Sequence, residues 1–101
     1  MGQWFAYILE CSDGSYYVGI TNNPKERLEE HNKGEGASWT RKRRPVAFRY
    51  VEACASKSAA RKREIEIKGW RREKKEALFV SPLNLLPASA PDSSPTQPQF
   101  S

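Results

Sequence analysis

Five side chains of this sequence have the types and the spacing to act together: Tyr7, Tyr17, Arg27, His31 and Glu64. A guanidinium holds two anionic oxygens in one plane and stabilises charge that builds on them. A phenol can take a proton from water only if nearby positive charge lowers its pKa, because an unperturbed tyrosine titrates at about 10. Histidine shuttles protons, bonds an anionic oxygen or orients a neighbour. A single carboxylate either pairs with a basic neighbour or ligates a hard cation such as Mg²⁺, which keeps several waters and fills its shell with substrate oxygens. Groups of these kinds, gathered in one place, suit the attack of water on an anionic ester.

The elements that must gather them can be read from the chain. Residues 3–11 and 15–21 are two aromatic and aliphatic runs around the turn cluster Ser12-Asp13-Gly14-Ser15, which predicts a β-hairpin. Phe5, Tyr7 and Leu9 share one strand face, Tyr17 and Gly19 share another, and Tyr16 points away from Tyr17. Gly19 is placed to let phosphate or another backbone approach the strand. Asn23 as N-cap, Pro24 at the first helical position and Glu26 at the capping-box position predict a helix over 24–33, ended by Gly34. Arg27 and His31, four apart on that helix, point the same way. Residues 34–44 read as loop, with Asn32 available to brace it. Val46 to Val51 alternates as a third strand. Ser56 caps a helix predicted from Lys57 to about Gly69, and Arg71–Leu78 forms a short last one. Three strands with helices on their faces make an α+β domain, a small three-stranded antiparallel sheet flanked by helices.

Each residue also has an ordinary role. Lone strand tyrosines usually pack in a hairpin core with their hydroxyls at the surface. Glu64 lies near the edge of the arc that Ala60 and Ile67 set, so an ion pair with Lys68 or Lys57 suits it as well as a metal, and Glu66 flanks the other edge.

The ordered constellation resembles the GIY-YIG nuclease domain. Phe5-Ala6-Tyr7 stands where the family has its first triplet and Tyr17-Val18-Gly19 where it has the second, followed by Thr21-Asn22, Arg27, His31-Asn32, Gly34, Gly36-Ala37 and Glu64. The likeness covers residues 3–79 and is greatest to the small stand-alone bacterial (YhbQ-like) members. The triplet lacks its Gly-Ile, but the tyrosine remains. The resemblance implies a DNA endonuclease with Tyr7 as general base, Tyr17 orienting water or phosphate, Arg27 on the phosphate and Glu64 as the ligand of one Mg²⁺ or Mn²⁺ ion. His31, often tyrosine in the family, has three roles open: bonding phosphate, orienting Tyr7 or protonating the leaving group. A DNA-repair role and a protein partner that supplies specificity are further expectations. The alternatives are a non-catalytic nucleic-acid-binding module of the same fold and an interaction module that recruits partners through its tail.

Composition is consistent with an anionic partner. The chain has 101 residues and a formal charge of +5; Asp92 is the only charge beyond residue 81, so residues 1–81 carry +6. Trp39 and the run Arg41-Lys42-Arg43-Arg44 are the expected DNA-tracking segment, an aromatic for an unpaired base beside cations for phosphate. Residues 1–80 are expected to be the domain and 81–101, which holds five of the seven prolines, a disordered tail. Cys11 and Cys54 lack metal-ligand spacing and read as reduced thiols. No leader pattern or long apolar run is visible, so a cytoplasmic monomer with no membrane contact is expected.

Overall fold

The computed structural model describes residues 3–86. Its elements in chain order are β1 (Trp4–Glu10), β2 (Tyr16–Thr21), α1 (Pro24–Lys33), α2 (Ser38–Arg41), β3 (Ala47–Cys54), α3 (Lys57–Lys68) and α4 (Arg72–Leu78). The strands form one antiparallel sheet in the order β2-β1-β3. The hydrophobic run of β1 follows from that central place, since Ala6, Tyr7, Ile8 and Leu9 are buried in succession and both strand faces are covered.

One face carries Tyr7, Leu9 and Val51, packed against Leu28 of α1; the other carries Ile8, Val18 and Tyr50, packed against Ile67 of α3 and Leu78 of α4. Truncating Ile67, which is fully buried, removes roughly 2–5 kcal/mol. The caps are those the residues predict. Asn23 accepts from the Glu26 amide at 3.2 Å, Ser56 accepts from the Ala59 amide at 3.0 Å, and Gly34 ends α1 in the left-handed region at φ 86°.

Three features depart from the sequence expectations. The third strand runs on to Cys54 and carries a bulge: Ile8 pairs with Tyr50 but Leu9 with Phe48, leaving Arg49 as the extra residue. The bulge reverses the alternation, so Phe48 joins the Tyr7 face while Tyr50 stays on the other. Residues 34–44 are not all loop, because Ser38–Arg41 forms a helical turn. Residues 81–86, expected to begin the tail, dock on β3. There the Asn84 side chain accepts from the Val51 and Leu86 amides and donates to the Arg49 and Phe79 carbonyls, and the Leu85 amide donates to Val51. The rest of the expected tail, 87–101, lies outside the described residues. No helix among the described residues is long and apolar enough to cross a membrane.

Candidate active site

Tyr7 projects from the central strand toward α1, and two helix residues meet its hydroxyl. His31 Nε2 lies 3.0 Å from the phenol oxygen, and Arg27 Nε donates to that oxygen at 3.4 Å. The predicted i, i+4 pair on α1 therefore converges on one atom. The second strand supplies the room. Gly19 is the β2 partner of Tyr7, and a Cβ there would come within 2.5 Å of the Tyr7 oxygen. Its role is thus close approach by a ring of this chain. Tyr17 stands on the same face, its ring 5.4 Å from the His31 ring.

Burial governs the proton affinities. It pushes the Tyr7 phenol up to about 12, and Arg27 pulls back without prevailing; the charges of Tyr17 and Glu64 push the same way as burial. Arg27 alone therefore does not bring the phenol below its ordinary value. Burial, with Arg27 second, lowers His31 to about 4, so the imidazole is neutral at pH 7. Arg27 also pairs with Glu30 at 3.0 Å, so a phosphate must compete with that carboxylate for the fork.

Behind His31, Nδ1 lies 2.7 Å from Thr40 Oγ1, which donates to the Ala37 carbonyl at 2.9 Å. Gly36 seals the imidazole, since a Cβ there would collide with Nδ1. Thr40 has no role in the sequence reading, and Gly36 enters it only within the Gly36-Ala37 pair of the family pattern. The one available signal, a small polar residue inside a cationic loop, is too common to single out. Asn32 braces this loop as expected, donating to the Val46 carbonyl at 3.1 Å and accepting from its amide at 2.8 Å.

Glu64 approaches from the other layer. It is 5% exposed, on the buried stripe with Ala60 and Ile67, and so lies further inside than the edge its spacing suggests. Glu66 instead faces solvent and pairs with Arg63. The Glu64 oxygens are held by Arg61 at 2.9 Å and Lys68 at 3.0 Å, both cations being more than half exposed. Lys57 sits over the Trp4 ring and is not its partner. Glu64 bonds neither tyrosine, but its charge reaches Tyr7. Lys68 also lines a hollow of about 250 Å³ with Tyr16, Tyr17, Val18, Trp39 and Lys75, which joins the Glu64 side to Tyr17. A larger hollow of about 390 Å³, along β3 and α3, contains none of these site residues.

The expected DNA-tracking segment is more constrained than a free cationic loop. Trp39 is 45% exposed with the Arg43 guanidinium 3.5 Å over its ring. Arg41 donates to the Gly34 carbonyl, Arg43 to Trp39 and to Asp13, and Arg44 to Arg41 and Asn32. Lys42 is exposed. The charges persist, while many of the directed bonds serve to hold α2.

As a metal site, Glu64 offers one buried carboxylate, and no group of three or more His, Cys, Asp or Glu side chains that could hold a metal occurs among the described residues. That donor set fits a hard cation completed by water and phosphate oxygens and does not fit a zinc site. A cation there would have to displace Arg61 and Lys68 from the carboxylate.

The model of the GIY-YIG catalytic domain matches residues 3–77. A UPF0213 protein of Halobacterium salinarum is 52% identical over 73 residues, which cover 72% of this chain and 95% of that one. A UPF0213 protein of Staphylococcus aureus is 49% identical over 79 residues, 78% of this chain and 96% of that one. The solution structure of an E. faecalis protein aligns with a TM-score of 0.54 at 43% identity, covering 76% of this chain and 82% of the other. By the match over residues 3–77 and by these relatives, the chain belongs to the GIY-YIG nuclease family, within its UPF0213 group.

Proposed function

We propose that this protein is an endonuclease that hydrolyses a phosphodiester bond of DNA. The observation that carries the reading is the meeting of Arg27 and His31 on the Tyr7 hydroxyl. A phosphate that displaces Glu30 from Arg27 is gripped by the guanidinium, which stabilises the extra charge of the pentacovalent state. Tyr7 takes the proton of the attacking water while its own proton passes to His31 Nε2. The new P–O bond forms in line as the old one breaks, and the departing oxygen leaves with the bonding pair and takes a proton from solvent. Of the three roles open to His31, contact with the phenol supports orienting Tyr7, and the same contact adds a fourth, receiving the phenol proton. Glu64 would hold Mg²⁺ or Mn²⁺, which when bound supplies positive charge to the phosphate and lowers nearby pKa values. Tyr17 and Trp39, which line one hollow, are the proposed contacts for the strand beyond the scissile phosphate, beside Arg41, Lys42, Arg43 and Arg44.

The raised Tyr7 pKa and the paired Glu64 also suit a binding module without catalysis. One experiment separates the two: incubation of single-stranded, duplex and branched DNA with and without Mg²⁺, wild type beside Glu64→Ala. The nuclease reading expects Mg²⁺-dependent cuts by the wild type, and binding without cuts by the variant. Salt-sensitive binding with no cuts by either protein leaves only the module.

A further inference from the structure

The contacts around His31 allow two proton arrangements, and only one of them satisfies every group. If Nε2 carries the proton, Thr40 donates to Nδ1 and Nε2 donates to Tyr7. The Tyr7 proton then has no acceptor among the described residues, and Thr40 Oγ1 faces the Ala37 carbonyl at 2.9 Å with no hydrogen between two oxygens. If Nδ1 carries it, the bonds run one way: Tyr7 O–H to Nε2, Nδ1–H to Thr40 Oγ1, and Thr40 O–H to the Ala37 carbonyl. Arg27 meanwhile donates to a remaining lone pair of the phenol. A buried donor without an acceptor is costly, so the second arrangement prevails.

We propose that Thr40 is a positioning residue for catalysis, fixing His31 as the Nδ1–H tautomer so that the bare Nε2 lone pair faces Tyr7. Thr40 is fully buried, and its hydroxyl meets the His31 ring and the Ala37 carbonyl, so it reaches the proposed chemistry through the imidazole. Gly36 supports it from the side. A methyl there would push on Nδ1 and break the Thr40 bond, so the α1–α2 connection is shaped around the ring. The catalytic meaning rests on the nuclease reading; the tautomer itself does not.

His31 is the chain's single histidine, so its imidazole signals in an untagged protein are unambiguous. In ¹⁵N-labelled wild type near neutral pH, Nδ1 should show the protonated, pyrrole-like shift and Nε2 the bare, pyridine-like one. Thr40→Val keeps the shape and removes the hydroxyl, and should move the ring toward the Nε2–H form. Its kcat should fall about tenfold or more, with KM within about twofold, as expected when a base loses its orienting partner. Thr40→Ser should restore both the wild-type shifts and most of kcat. An Nε2–H wild type, or a Thr40→Val protein with unchanged tautomer and unchanged kcat, overturns the proposal; the wild-type spectrum decides even if the valine variant does not fold. Expected shifts in a wild type that cuts no DNA would sink the nuclease reading and leave the tautomer assignment standing.

Discussion

A phenol at about 12 beside an imidazole at about 4 is a proton chain held in its resting state. Both shifts come first from burial, which penalises phenolate and imidazolium alike. Phosphate on Arg27 would neutralise a charge that disfavours imidazolium, so substrate itself moves His31 toward accepting a proton. Arg27→Ala should therefore cut single-turnover cleavage more than DNA affinity, by about 100-fold against a fewfold loss in a binding titration. Equal losses in both would make Arg27 a binding residue only. The same histidine makes stability depend on pH. Unfolded, it titrates near its ordinary value of 6.5; folded, it stays neutral down to about 4. Between those values the unfolded chain takes up a proton that the native protein refuses, so stability falls as pH drops through this window, by as much as about 3 kcal/mol at the acid end. Urea melts of wild type and His31→Gln between neutral pH and the lower limit should diverge in slope, and parallel curves would deny the buried neutral histidine.

At the scale of elements, the site is a helix and a four-residue turn closed on a sheet. The turn α2 is too short to form by itself, because a helical nucleus fixes several residues for one bond. It persists because Arg41, Arg43 and Arg44 bind carbonyls around it and Thr40 is locked under His31. A run that reads in the sequence as a basic surface is in part the scaffold of the loop. Gly36→Ala tests that closure. The added methyl meets His31 Nδ1, and overpacking of this kind costs about 1–3 kcal/mol. A lower melting temperature with lost cleavage is expected; a variant that melts and cuts like wild type would show that the loop yields. The bulge at Arg49 has a similar consequence for the core, since it turns Phe48 onto the Tyr7 face, its ring 5.5 Å from the phenol ring.

At the scale of the whole molecule, the sheet separates the two halves of the proposed chemistry. Tyr7, Tyr17, Arg27 and His31 belong to the α1 side, and Glu64 comes from α3, whose Ile67 packs on the opposite face. The hollow that Tyr17 and Trp39 share with Lys68 is where the two sides approach. The chain's net charge of +5 makes the expected encounter with DNA electrostatic. Affinity for a labelled oligonucleotide should fall by about tenfold or more between roughly 50 and 200 mM salt, through release of counterions. Affinity indifferent to salt would argue against phosphate contacts as its source.

Much of this protein is determined by local residue chemistry. The hairpin, the Asn23 and Ser56 caps, the Gly34 stop and the i, i+4 placement of Arg27 and His31 depend on neighbours a few residues away, so they are visible in the chain. The order of types from Tyr7 to Glu64 carries the family. Tertiary structure alone decided the rest. Periodicity could not rank Glu64 above Glu66, because helical spacing sets direction and not depth; packing of α3 on the sheet buried one and exposed the other. No local pattern marks Thr40, and Gly36 stands in the family pattern without a stated part; both parts depend on a histidine on the preceding helix. Residues 81–86 read as tail because proline, serine and leucine in short order lack a periodic face, yet Asn84 finds four backbone partners on and beside the open edge of β3. Proton affinities at the site were likewise out of reach, since they follow from how deeply each group is desolvated, and depth exists only once the layers close.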